Sequence, residues 1–220
     1  MASKVTQWQA PGEVMDTLFR PLRDLRISVI DRCNYRCPYC MPAAIYGEDF
    51  EFLPRHHWLT AGELKRVAGL FMQLGVTKLR ITGGEPLLRR DIVDIVSKLS
   101  DLPGLEDLAL TTNGALLTAR AKDLRAAGLK RVTISVDSLD EAVFTEMSGG
   151  RGGIQSVLDG IAAAQSAGLD PIKLNVVVQK DNNDATVMDL LEHFRGSGLI
   201  LRFIEYMDVG TLNGWRLDEV

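Results

Sequence analysis

The 220-residue sequence predicts an α/β fold, a partial (β/α)6 barrel, and three observations point to it. Short β-rich runs alternate with amphipathic stretches of helical period. Glycines stand where helices should end. The strands carry polar residues at every second position, unlike the near-continuous apolar runs of parallel strands buried on both faces.

Taken in order, the first strand is read at Leu25–Ile30. A helical stretch at 61–74 follows, opened by the capping-box pair Thr60 and Glu63 and closed by Gly75. The second strand is Lys78–Ile81, followed by a helical stretch at 91–100. The third is Asp107–Leu110, with a stretch at 118–127 that ends on Gly128. The fourth is Arg131–Val136, with a stretch at 154–167 that ends on Gly168. The fifth is Lys173–Val178, with a stretch at 184–195, and Ile200–Ile204 completes the set. Regular alternation argues for a parallel sheet with right-handed crossovers, as a partial barrel or a doubly wound sheet.

The side-chain alternation favours the barrel. Arg26 and Ser28 alternate with Ile27 and Val29; Lys78, Arg80 and Thr82 alternate with Leu79 and Ile81. Thr133, Ser135 and Asp137 alternate with Val132, Ile134 and Val136. Lys173 and Asn175 alternate with Leu174 and Val176, and Arg202 lies between Leu201 and Phe203. A period of two sends each polar set to one face of the sheet. The helices should cover the other face, which leaves a polar cavity lined by cations inside a curved sheet. The plainer alternative is the solvated face of an ordinary sheet.

Bulk properties bound the function. With 46% hydrophobic and 25% charged residues, the chain suits one globular domain. We divide it into a flexible N-terminal arm at 1–18 and a single domain at 19–220. A net charge of −4 gives no support for nucleic-acid binding. No apolar run approaches the ~20 residues of a membrane span, and the N-terminus resembles neither a secretory signal nor a transit peptide. The three cysteines fall within eight residues, a poor disulfide framework that fits a reducing cytoplasm and thiols kept for a metal.

Those cysteines carry the first chemical signal. Cys33, Cys37 and Cys40 have the spacing C-x3-C-x2-C just after the first strand. Three thiolates can hold three irons of a [4Fe–4S] cluster and leave the fourth open. A zinc site would normally need a fourth ligand, for which His56 and His57 are distant candidates. The second signal is Thr82-Gly83-Gly84-Glu85-Pro86 at the end of the second strand, where paired glycines allow backbone to approach a ligand closely. In a barrel this is the C-terminal face, where ligands bind. Thr111-Thr112-Asn113-Gly114 ends the third strand. Alone, each of these segments is also compatible with a plain turn.

Together, C-x3-C-x2-C and a GGEP segment after the next strand resemble the signature of the radical S-adenosylmethionine (SAM) superfamily. The likeness is closer still to the GTP 3′,8-cyclases of molybdenum cofactor biosynthesis. It is carried by the blocks at 20–28, 31–42, 79–91 (LRITGGEPLLRRD), 110–114 (LTTNG) and 202–210 (RFIEYMDVG). The resemblance implies a partial (β/α)6 TIM-like barrel of the radical SAM type and a lyase that converts GTP to 3′,8-cyclo-7,8-dihydro-GTP. It implies one [4Fe–4S] cluster on Cys33, Cys37 and Cys40, with SAM on its open iron. Tyr39 would contact SAM, Gly84 and Ser135 would hold its methionyl end, and Met207 would lie beside its adenine. Arg26, Arg80, Thr111 and Lys173 match positions that bind GTP, assisted by Arg202. Implied partners are GTP, an electron donor and a downstream pyranopterin monophosphate synthase, with neither nucleic acid nor membrane, and a homodimer is left open.

The same resemblance implies a further C-terminal region with a second cluster on three more cysteines, which this sequence does not contain. We therefore expect impaired cyclisation and reduced solubility. The alternatives are another radical SAM enzyme, such as a peptide maturase, or a non-catalytic cluster- or metal-binding module.

Overall fold

A computed structural model describes residues 14–209 and 215–217. Six parallel strands form one sheet in sequential order: β1 (Asp24–Ser28), β2 (Lys78–Thr82), β3 (Asp107–Thr112), β4 (Arg131–Ser135), β5 (Ile172–Val178) and β6 (Ile200–Glu205). Sequential order means that every crossover steps the same way. Right-handed crossovers then place all the helices on one side of the sheet. A doubly wound sheet would reverse its order at some strand, and this one does not.

The helices are α1 (Ala61–Gln73), α2 (Ile92–Ser100), α3 (Ala121–Ala126), α4 (Glu141–Met147), α5 (Ile154–Ser166) and α6 (Val187–Phe194). They bury the apolar strand face: Leu79, Ile81, Leu108, Leu110, Val132, Ile134, Leu174 and Val176 share one core with Leu64, Leu99, Leu124, Val157 and Leu190 of the helices. Full burial of each such side chain contributes about 1.5–3 kcal/mol. The opposite strand face stays more open. Arg26 and Ser28 are exposed, and Arg80, Thr111, Ser135, Lys173, Asn175 and Arg202 are half-buried.

Local signals set the element ends. Thr60 and Glu63 form the capping box at α1: the Glu63 N–H donates to Thr60 Oγ1 (3.3 Å) and the Thr60 N–H to Glu63 Oε2 (2.8 Å). Gly75, Gly128 and Gly168 all take positive φ just past their helices. The structure differs from the sequence reading in several places, among them the stretch 184–195, which divides into a 3-10 turn at Asp184–Thr186 and α6. β1 ends at Ser28, because the Ile30 carbonyl has left the ladder to accept from the Gly84 N–H at 2.7 Å. The stretch 118–127 splits into a 3-10 turn at Leu117–Ala119 and the short α3. α4 was not expected; Asp140 nucleates it, its Oδ1 accepting from the Ala142 and Val143 N–H groups at 2.8 and 3.0 Å.

Residues 1–13 of the expected arm lie outside the described residues. Val14 to Leu22 make a tight reversal, in which Met15 bridges Pro21 and the Leu22 N–H donates to the Val14 carbonyl. Among the described residues, no helix is long and apolar enough to cross a membrane.

Candidate functional site

The cysteine loop leaves the C-terminal end of β1 and is fastened by backbone from two sides. The Gly84 and Glu85 N–H groups, at the end of β2, donate to the Ile30 and Arg32 carbonyls at 2.7 and 2.8 Å. A Cβ on Gly83 would lie 2.6 Å from the Ile30 carbonyl oxygen, and one on Gly84 would overlap the Arg32 carbonyl. Glycine is required at both positions for two backbones to touch. On the other side the Arg36 N–H donates to the Ser148 carbonyl (3.0 Å), and Gly149, at φ +72°, closes against the Arg36 backbone. Within the loop, the Cys40 and Met41 N–H groups both donate to the Cys37 carbonyl.

Two buried acids tie this loop to the ends of other strands. Glu85 is 1% exposed. Its Oε1 accepts from the Leu87 N–H (2.9 Å) and Thr112 Oγ1 (2.8 Å), and its Oε2 from the Asn113 N–H (2.8 Å). Burial raises its carboxyl above the ordinary range, against the pull of those donors. Asn113 in turn donates through Nδ2 to Asn34 Oδ1 (2.8 Å) and towards Cys33 Sγ (3.8 Å). Asp137, just past β4, accepts from the Tyr39 hydroxyl at 2.6 Å and from the Val177 N–H of β5 at 2.9 Å. Burial pushes its carboxyl up to about 6.

These contacts bring the three thiols to the wall of one cavity of about 230 Å³. Tyr39, Gly84, Ser135, Arg26 and Thr111 line it too, so five of the expected SAM and GTP residues share it with the cysteines. A second cavity, of about 550 Å³, is lined by the same thiols. Burial raises all three thiols above their ordinary range, Cys37 most. The Tyr35 N–H also donates to Cys33 Sγ at 3.4 Å.

Arg80, Lys173 and Arg202 lie outside the cavity lining. They form a cationic basin on the strand face that also carries Arg26, the register partner of Arg80. Burial first, and then Arg131, Arg202 and Arg80, hold the Lys173 ammonium below its ordinary range. Burial and the nearby Arg80 and Arg131 do the same to Arg202. Asp107 partly neutralises the basin by pairing with the Arg131 guanidinium, its Oδ1 and Oδ2 accepting from Nε at 2.9 and 2.8 Å. Asn175 Oδ1 takes two bonds from Arg202. Met207 is not among the lining residues of either cavity; it is exposed just beyond β6.

The model of the radical SAM superfamily matches residues 27–194, well over half of the chain. The chain belongs to the radical SAM superfamily. It is 54% identical over 207 residues to the GTP 3′,8-cyclase of Xanthomonas campestris pv. campestris (strain B100), a match that covers 94% of this chain and 61% of that protein. Over 208 residues it is 46% identical to the GTP 3′,8-cyclase of Staphylococcus aureus (strain Mu3), with the same two shares covered. It thus spans about three fifths of the length of these curated relatives. The crystal structure of Streptococcus suis SuiB bound to S-adenosylmethionine has the same fold (TM-score 0.69, 19% identity), over 88% of this chain and 43% of that one.

Radical SAM enzymes take a [4Fe–4S] cluster and SAM, and the donor set here fits them. All three sulfur donors sit on one loop with N–H groups aimed at Cys33, the arrangement that stabilises sulfur ligands of clusters. Among the described residues, no three His, Cys, Asp or Glu side chains converge on a single ion. His56 and His57 are exposed on a 3-10 turn and line neither thiol cavity, so the zinc alternative has no fourth ligand from them. Sequence reasoning gave no role to Glu85 or Asp137 and missed the loop at 148–153 as part of this site. Their signals were GGEP itself, the polar alternation past β4 and the run Ser148-Gly149-Gly150-Arg151-Gly152-Gly153.

Proposed function

We propose that this chain is the radical-generating and phosphate-holding part of a GTP 3′,8-cyclase, a lyase that turns GTP into 3′,8-cyclo-7,8-dihydro-GTP. One observation carries the reading beyond the family. The strand face that carries Arg26 at the thiol cavity also carries, by register, Arg80, Arg131, Lys173 and Arg202, with Asp107 paired to Arg131. Guanidinium forks and an ammonium suit a triphosphate through charge-assisted hydrogen bonds. A mutually repelling set of cations on one sheet face calls for such a polyanion. The similarity to GTP 3′,8-cyclases supports the same substrate.

In this reading Cys33, Cys37 and Cys40 hold the cluster. Tyr39, Gly84 and Ser135 hold SAM, and Met207 reaches its adenine from beyond β6. When bound, the cluster and SAM supply the electron and the carbon radical. The protein's own part is placement. Glu85 and Asp137 fix the loop against β2, β3, β4 and β5, Arg26 and Thr111 face substrate at the cavity, and the basin anchors the phosphates. The buried walls keep water from a reactive species. An electron donor and a pyranopterin monophosphate synthase acting on the product complete the proposal, in the cytoplasm.

The test is 5′-deoxyadenosine release, measured by mass spectrometry after anaerobic cluster reconstitution, with reductant and SAM, with and without GTP. Release should rise with GTP, and Arg80→Ala should blunt that rise. Release that ignores GTP would sink the substrate assignment while leaving the SAM chemistry standing.

A further inference from the structure

Arg36 lies between two of the cysteines and is only 7% exposed. Its guanidinium has no ion-pair partner among the described residues. Glu48 and Glu51 border the same groove but stay beyond pairing distance, and Arg32, Arg151 and His57 border it as well. All its acceptors are backbone carbonyls. Nη1 donates to Cys33 and Tyr35 at 2.8 Å each, and Nε donates to Tyr46 at 2.5 Å. The face of the Phe52 ring lies 5.6 Å away. A buried charge without a counter-charge is costly to a fold. A carbonyl-bracing role alone does not require the charge to go unpaired.

We propose that Arg36 is the positioning residue and built-in counter-charge of the cysteine loop. It braces the carbonyls of Cys33, Tyr35 and Tyr46, and it leaves its positive charge to the sulfur-ligated cluster. The inference rests on the cluster reading above and adds to it. The brace ties the first cysteine to Tyr46, beyond the third, so the loop spanning all three ligands has a fixed width. The charge favours the more negative, reduced form of a neighbouring cluster, because nearby charge helps set cluster potentials.

Two variants of this chain separate the brace from the charge. Arg36→Lys keeps the charge but cannot span three carbonyls; Arg36→Met removes both. Without the cluster, alkylation of Cys33, Cys37 and Cys40 by iodoacetamide, counted by mass, should run several-fold faster in both variants. Unchanged rates in both would overturn the brace. With the cluster reconstituted, a redox titration followed by electron paramagnetic resonance should show a lower midpoint for Arg36→Met and a near-wild-type midpoint for Arg36→Lys. A wild-type midpoint in Arg36→Met, or equally low midpoints in both, would overturn the counter-charge. Should Arg36→Met fail to fold, Arg36→Gln takes its place in both assays. Wild-type chain that takes up no iron and sulfide would overturn the cluster reading and the counter-charge together, and the alkylation rates would still decide the brace.

Discussion

Glu85 and Asp137 are buried acids with no ion-pair partner among the described residues, and each is satisfied by N–H and O–H donors, most of them from distant parts of the chain. Such carboxylates hold elements together through the donors they would orphan if removed. Glu85→Ala strands Thr112 Oγ1 and the Leu87 and Asn113 N–H groups, and should destabilise the chain by roughly 3 kcal/mol. A lower urea midpoint with an unchanged slope would show it. Tyr39→Phe deletes one hydrogen bond and leaves Asp137 bonded to Val177. It should cost only about 1 kcal/mol, and a larger loss than Asp137→Ala would contradict that. The sequence disclosed which residue types gather at the strand ends: Thr111, Ser135 and Arg26 were all legible from alternation and motif. It did not disclose that Asp137 bonds Tyr39, because the two stand 98 positions apart and no local pattern links them.

Glycine pairing shows the same boundary between local and tertiary information for whole elements. The GGEP segment read as a place where backbone approaches a ligand. In the fold its first task is to let the end of β2 lie against the loop that carries the cysteines. Gly84→Ala puts a methyl inside the Arg32 carbonyl, with backbone on both sides and no flexible side chain to yield. It should abolish iron uptake on reconstitution and lower the melting temperature. Gly69→Ala is the matched control: it sits inside α1, and the new methyl meets only Leu102 Cδ2 at 3.6 Å. It should stabilise by about 0.5–1 kcal/mol and leave iron uptake unchanged. The six strands and five of the helices were legible because each repeats its period over enough residues. α4 has seven residues and, unlike the six-residue α3, no 3-10 turn ahead of it to lengthen its pattern; only its Asp140 cap announced it.

The charge of the whole molecule, −4, points away from polyanions, yet four of its cations share one sheet face where their fields add. Composition could not reveal that; only the facing of alternate residues on adjacent strands did, and Arg131 escaped notice because it opens its strand. Four cations, Arg80, Arg131, Lys173 and Arg202, stand together with the carboxylate of Asp107. A ligand held by this basin should therefore be ranked by its phosphate count. Guanosine triphosphate should bind more tightly than the diphosphate, and the diphosphate more tightly than the monophosphate. Added salt should narrow the differences, because part of each cation stays exposed to screening. Lys173→Ala should weaken the triphosphate roughly tenfold through loss of one charge-assisted contact and weaken the monophosphate far less. Calorimetric titration of the three nucleotides at two salt concentrations reads all of these at once. Equal affinities across the series, insensitive to Lys173, would mean that the cations serve the sheet and not a substrate.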